Sequence, residues 1–560
     1  MKVQSKSIAF AALLAVALTA CSGGDDGGSG ESLKSDELAS QAQYNPQPRD
    51  NVEDGGTFTR AVGEIPDNLN TLHADKSADT AALSMMYNPQ LQLIAEDGAL
   101  SWNKDYVTDV SEELVDGNRV VTYTINDEAV FNDGTPIDWR AFEALWKVSN
   151  GKNEKYAPVS TEGYSLITSV EPGENDKQAV VTYDGPWLWW QSQFKEVIHP
   201  DAAKDPETFN TAYTMDAHDE WGAGPYHVKE LEPGGTTAVF ERNPHWWGNP
   251  GKLDEFVFRA MESTAAINAF RNGELDAVSA TSAENLAQIE GMEGIDVRKA
   301  ATLAVTFMHV NASSPKLKDA DVRKAVHLGI DRQTLQDVRY DGMGWDAELP
   351  GMVTLYPFQE GYRDTYSEIG GGYDPEEAGK LLDGAGWSVG DDGIREKDGE
   401  KLQLLFPIIG DASYSKNGAV ALQAMLKEIG IDLKLDYRSA DEFTDTYTKK
   451  DYDLFSLNWG TADPDENFFY FCYFYCSDAG YVDQETIDTY APVVQEIGQE
   501  TDKVKAVEAF LQTEKDILST WQIDPLYTGP TIFAVKEGMA NFGADLFFFG
   551  PIEDIGWQKG

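Results

Sequence analysis

From Val120 to Ile125 apolar and polar residues alternate with the period of a half-buried strand. Asp133-Gly134 then marks a turn, and a helix opens near Asp138 with Trp139, Phe142 and Trp146 on one face. Upstream, residues 55–94 read as a strand, a Pro-Asp turn and a helix. Downstream, GPWLWWQSQFKEVIHP carries three tryptophans that either plug a core or stack on a ligand. GAGPYHVKELEPGGTTAVFERNPHWWG predicts a β-hairpin turning at Pro233-Gly234-Gly235, with Gly222 and Gly224 allowing a sharp entry. Residues 254–278 predict strand, helix, a stop at Gly273, and strand again.

Near residue 303 the pattern restarts with strand LAVTFMHVNAS and helix DADVRKAVHLGIDRQTLQDV. In YDPEEAGKLLDGAGW, Asp374 caps a helix, Pro375 takes its first turn, Glu377 completes a capping box and Gly386 ends it. Residues 401–459 then alternate strand, helix, strand, helix, strand, which predicts an α/β unit with a mainly parallel sheet. Ligands of such sheets bind beyond the carboxyl ends of the strands, and just past strand YDLFSLNW comes the acidic, aromatic stretch DPDENFFYFCYFYC. Phe468 to Tyr475 is too short to cross a bilayer and is flanked by acids, so a membrane span is rejected.

The chain of 560 residues is too long for one hydrophobic core, and its 41% hydrophobic content is that of a globular protein of several lobes. Its 44 Lys and Arg against 95 Asp and Glu give a net charge of −51, a field that repels nucleic acid. The acidity itself reads as a solubilising surface.

MKVQSKSIAFAALLAVALTAC places two lysines before an apolar run too short for a permanent span, the form of an export signal over residues 1–20. LTAC resembles a bacterial lipobox, which would make Cys21 a lipidated N-terminus at the outer face of the cytoplasmic membrane. Residues 21–54 open rich in Gly, Ser and acids and read as a flexible tether. Cys472 and Cys476 remain as a pair; in an oxidising compartment a disulfide is expected, with free buried thiols as the alternative.

FNDGTPIDW, GAGPYHV, ERNPHWWG, AINAFRNGELDAV, DVRKAVHLGIDR, YDPEEAGKLLDGAGW and YDLFSLNWGTADPDENFF resemble, in order and spacing, the extracytoplasmic solute-binding proteins of the oligopeptide, dipeptide and nickel type that serve ABC importers. The resemblance runs from about residue 55 to 535. It implies an α/β, three-lobe, periplasmic-binding-protein-like clamshell with a ligand cleft between lobes. Lobe I would comprise 55–90, 205–300 and 526–560, lobe II 91–204 and lobe III 301–525. The implied function is capture of peptides by lobe closure and delivery to ABC permease subunits, by a monomer that touches the membrane through its anchor alone, without catalysis or cofactor.

In peptide-binding members an aspartate three residues after the tryptophan of the YDLFSLNW strand receives the ligand's amine. Here the tryptophan is Trp459 and the third residue on is Ala462, so Asp463 becomes the nearest candidate, with Asp465 close behind and an Asp-Pro turn as its alternative role. The implied cleft also takes in Gly460, Phe468 and Phe469 beside Trp459, Trp345 in the loop MGWDAELPG, and Glu64 and Asn68 after the first strand. Each ring of the aromatic stretch is equally a core residue. No cation for a ligand carboxylate stands out; Arg60 and Arg363 are the candidates.

A saccharide, nickel chelate or haem is the alternative ligand, although the seven histidines have no metal-cage spacing. A secreted hydrolase is a distant alternative, without a GxSxG or HExxH motif, and a surface adhesin another.

Overall fold

Strand Ile295–Val310 and strand Ile523–Lys536 pair antiparallel over nearly their whole lengths, with register shifts between Ala301 and Val305 and between Thr306 and Phe307. They form the spine of an eight-stranded sheet in a computed structural model that describes residues 43–560 except 96–97, 360, 411, 440–441, 462–464, 477–479 and 546–549, and Phe469 by its backbone only. The sheet runs Leu454–Gly460, Ile295–Val310, Ile523–Lys536, Ala277–Ser279, Thr57–Val62, Glu255–Ala260, Thr237–Arg242, Tyr226–Leu231. The boundaries expected at 300/301 and 525/526 therefore fall inside two continuous strands.

Most expected elements form. Asn118–Ile125 alternates buried and half-buried positions in a four-stranded sheet with Val107–Val115, Gln178–Tyr183 and Ile167–Pro172. Asp138 caps helix Trp139–Ser149, but the face it buries is Ala141, Phe142, Leu145 and Val148; Trp139 and Trp146 flank it half-buried. The hairpin Tyr226–Leu231 and Thr237–Arg242 pairs as expected. Gly224 serves close approach more than turning, since a Cβ there would lie 2.5 Å from the carbonyl of Met86.

Four expectations are corrected. The segment 319–338 is two helices, Ala320–Leu328 and Arg332–Tyr340, because Asp331 caps the second by accepting from the Thr334 amide. Asp374 caps helix Pro375–Gly384, but Glu377 does not complete the box; its carboxylate turns to Lys380. Of the strands between 401 and 459, Gln403–Ile409 and Asp432–Arg438 are parallel, whereas Leu454–Gly460 pairs antiparallel with Ile295–Val310. The expected tether 21–54 ends too late: Gln43 bridges to Ala544, Val52 bridges to Gln558, and Tyr44 and Val52 are buried. Such pairing with the far end of the chain leaves no local mark.

The aromatic stretch is two short helices, Glu466–Phe469 and Phe471–Tyr475, with Phe468, Phe471, Phe474 and Tyr475 in the core. Trp189 also proves to be core, stacked on Phe468 with ring centroids 5.1 Å apart and planes 8° from parallel. Among the described residues, no helix is long and apolar enough to cross a membrane.

Candidate functional site

The carboxyl end of strand Gln403–Ile409 opens into a cavity of about 510 Å³. Helix Ser413–Glu428 begins at its mouth, and helix Arg332–Tyr340 closes one side. The sheet supplies the floor. Thr306 and Asn458 are register partners on adjacent strands, joined by a 3.0 Å bond from Asn458 Nδ2 to Thr306 Oγ1, and Tyr527 lies on the neighbouring strand. Polar groups thus form a row on the floor, while Phe406, Phe455, Tyr340 and Leu422 give apolar walls.

The rim is unusually aromatic. Tyr414 and Phe443 both line the cavity and are 44% and 43% exposed. Exposed aromatics around a concavity of this size are the composition of a small-ligand site, where such cavities measure roughly 300–1,000 Å³.

Among the described residues that line the cavity, one is a cation. Helix Arg332–Tyr340 buries Leu335, Gln336 and Tyr340, and its last turn brings Arg339 to the cavity wall. The Arg339 guanidinium carbon lies 3.9 Å from the ring centre of Tyr414 and 4.7 Å from that of Tyr340. Among the described residues no carboxylate or carbonyl accepts from it. Its place at a helix C-terminus also favours positive charge.

The residues singled out from sequence distribute differently. Trp459 ends the sheet's edge strand, but its indole donates to Asn467 Oδ1 at 3.1 Å and its ring packs against Tyr470, Tyr473 and Phe474. Asn467, buried, donates in turn to the carbonyls of Val353 and Thr354. Gly460 is exposed beside Ala304. Asp463 lies outside the described residues, as does the side chain of Phe469. Asp465 is held by Lys503, and Lys503 lies over the Trp189 ring. That pairing neutralises the carboxylate instead of leaving it for a ligand amine.

Phe468 is a core ring, and Trp345 is buried behind the wall, bonded to the Thr528 carbonyl and edge-on to Tyr340. Glu64 is exposed near the Asp79 carboxylate that its amide donates to, and Asn68 is buried, accepting from the Asn70 amide in its own turn. Arg60 is enclosed by Phe258, Phe542 and Phe533; burial pulls its pKa down to about 10, against the pull of Asp79. Arg363 pairs with Glu508 on the surface. Among the described residues, none of these lines the cavity.

The expected disulfide is also corrected: Cys472 and Cys476 are free thiols. They sit four residues apart at the end of one helical turn, where Cβ atoms lie about 5–6 Å apart, and a disulfide needs roughly 3.5–4.5 Å. The Cys472 pKa is lowered by a hydrogen bond with Cys476, while that same bond and burial push Cys476 up.

What sequence reasoning missed is mainly Arg339, Tyr414, Asn458 and Thr306. Asp331 followed by Thr334 was the available signal: a cap inside the supposed single helix sets the phase that presents Arg339.

The model for bacterial extracellular solute-binding proteins of family 5 matches residues 96–481. The oligopeptide-binding protein OppA of Mycobacterium tuberculosis is 30% identical over 518 residues, 90% of this chain and 85% of that protein. Among solved structures, the periplasmic EDTA-binding protein EppA superposes with a TM-score of 0.82 at 23% identity, covering 92% of this chain and 98% of that one. The oligopeptide-binding protein AppA from Bacillus subtilis, in complex with a nonapeptide, superposes at 0.69 with 18% identity, covering 91% and 100%.

Proposed function

The chain belongs to the family 5 bacterial extracellular solute-binding proteins, ABC-importer components that bind peptides or related ligands, and from that premise we propose that it captures short peptides in the cavity at the carboxyl end of strand Gln403–Ile409. Three lobes close on the ligand, and the importer's permease reads the closed form. The protein is a monomer held outside the cytoplasmic membrane by lipid on Cys21, and it returns its ligand unchanged.

The observation that carries this reading is the cavity's composition. A peptide offers alternating apolar side chains and amide groups, and the cavity offers aromatic walls over a polar floor of Thr306, Asn458 and Tyr527. Closure is supported by the two long strands, which join the sheet of residues 226–279 to the cavity floor and carry register shifts between Ala301 and Phe307. Irregular pairing concentrates bending at that point. A ligand touching both sides favours the closed state by its differential affinity for it.

Native and denaturing mass spectra of residues 30–560, purified without lipid, test the reading. Extra mass that resolves on denaturation into short peptides is the expected result. A single non-peptide mass, or no adduct together with no thermal shift across a peptide library, overturns peptide capture and moves the assignment to a saccharide, nickel chelate or haem.

A further inference from the structure

We infer that Arg339 is the residue that receives a carboxylate of the bound peptide, and that the receptor therefore selects peptides carrying a free acid at the end lying between Tyr414 and Tyr340. The inference rests on the peptide-receptor reading and adds to it a polarity and a specificity-determining residue.

The buried arginines donate to oxygen: Arg119 to the carbonyl of Pro186, Arg298 to those of Phe542 and Met539, Arg323 to those of Thr520, Leu317 and Lys318, Arg332 to those of Pro350 and Pro525, and Arg395 to Asp383 and the Ile429 carbonyl. Arg60, which rings also hold, is enclosed by three of them away from the cavity. Arg339 is half-buried on the cavity wall, yet among the described residues its guanidinium lies over two aromatic rings and donates to no oxygen. Its donors, which lie in a planar fork matched to a carboxylate, are left for something that enters the cavity.

Contact with the Tyr414 and Tyr340 rings restrains the guanidinium, so less side-chain freedom is lost when an anion binds. Tyr340 is itself fixed: its hydroxyl passes so close to the backbone that a Cβ on Gly529 would lie 2.2 Å from it. Its ring is braced edge-on by Tyr527 and Trp345. Asp337, on the same helix, accepts from Gln333 at 2.8 Å, and Glu284 accepts from Ser413 beside the cavity at 3.4 Å.

With a net charge of −51 the surface repels anions. A cation on the wall offsets that repulsion locally for an anionic terminus, and among the described residues that line the cavity Arg339 is the cation.

The test uses residues 30–560 and a tripeptide mixture randomised over Ala, Leu, Phe and Tyr, supplied as free acids and as C-terminal amides, so that the terminal carboxylate is the one anionic group. Retained peptides are quantified by native mass spectrometry. Losing a charge-assisted bond of this kind costs roughly tenfold to a hundredfold in affinity, and that preference for acids over amides is expected. Arg339→Gln is expected to abolish the preference while keeping residual binding of both forms, and Arg339→Lys to restore part of it. A third arm, amides containing Glu, reports whether a side-chain carboxylate serves equally. Equal retention of acids and amides by the unsubstituted protein, or a preference unchanged in Arg339→Gln, overturns the assignment and leaves peptide capture standing. Retention of neither form overturns peptide capture, and the assignment with it.

Discussion

Glu514→Ala is expected to destabilise the protein by about 4 kcal/mol, a large loss for a single polar side chain. Glu514 is fully buried, and its carboxylate accepts from the amides of Val353 at 2.7 Å and Thr354 at 3.1 Å and from the Tyr475 hydroxyl at 3.0 Å. One residue thus joins helix Lys503–Leu518, the loop at 353–354 and the aromatic helix Phe471–Tyr475. Burial raises its pKa, and the bonds it accepts oppose that rise. Alanine leaves three buried donors without acceptors and a void besides. Glutamine keeps one acceptor oxygen but turns a donor toward an amide, so Glu514→Gln should cost less, about 1–2 kcal/mol. Thermal unfolding should rank wild type, Gln and Ala in that order. Hydrogen exchange should quicken first at 353–354 and 471–476, and a Glu514→Ala protein of unchanged midpoint would contradict the account.

Asp524→Asn is expected to steepen the loss of stability in acid. Asp524 and His327 are both fully buried, with His327 Nδ1 3.6 Å from a carboxylate oxygen, and Arg332, Tyr366 and Trp521 complete their surroundings. Burial raises the Asp524 pKa to about 7, against the pull of Arg332. Between about pH 4 and 7 the folded chain therefore holds a proton that the unfolded chain releases, and acidification across that window adds stability. Burial lowers the His327 pKa to about 3. Below about pH 6.5 the unfolded chain takes up a proton that the folded chain refuses, so this contribution, complete above that pH, is lost as pH falls toward 3. The two slopes nearly cancel in the native pair.

Asparagine removes the compensating group, so unfolding free energy should fall more steeply than in wild type by about 1.4 kcal/mol per pH unit between pH 6.5 and 4. At pH 8, where the wild type buries an ionised Asp524, the variant should be at least as stable. Chemical denaturation at several pH values measures both, and parallel pH profiles would contradict the assignment.

The fold was largely legible, because most elements announce themselves locally. The alternation at Val120–Ile125, the Asp374 cap and the Gly273 stop each depend on residues within one turn of themselves. What failed depends on distant partners. Val52 pairs near Gln558, and Leu454–Gly460 joins a different sheet from the two strands before it. Neither partner is encoded nearby.

The site was less legible for the same reason. Trp459, Phe468 and Trp345 look like ligand platforms in the chain, yet their rings are engaged by Asn467, Trp189 and Thr528, residues brought to them by the fold. Conversely, Arg339 is an ordinary exposed-looking arginine until Tyr414, seventy-five positions on, supplies its platform.

A ligand seated in the cavity at Gln403–Ile409 should be shut out by Gly418→Trp. Gly418 lies on the cavity wall in helix Ser413–Glu428, and a Cβ there meets nothing within 4 Å, so the indole can enter the open volume without a backbone clash. Replacing a helical glycine should also leave the helix at least as stable. The measurement is native mass spectrometry of the tripeptide mixture on wild type and Gly418→Trp, with thermal unfolding beside it. Loss of binding by roughly a hundredfold with an unchanged or higher midpoint is expected; undiminished binding in a folded Gly418→Trp protein would mean that the ligand binds elsewhere.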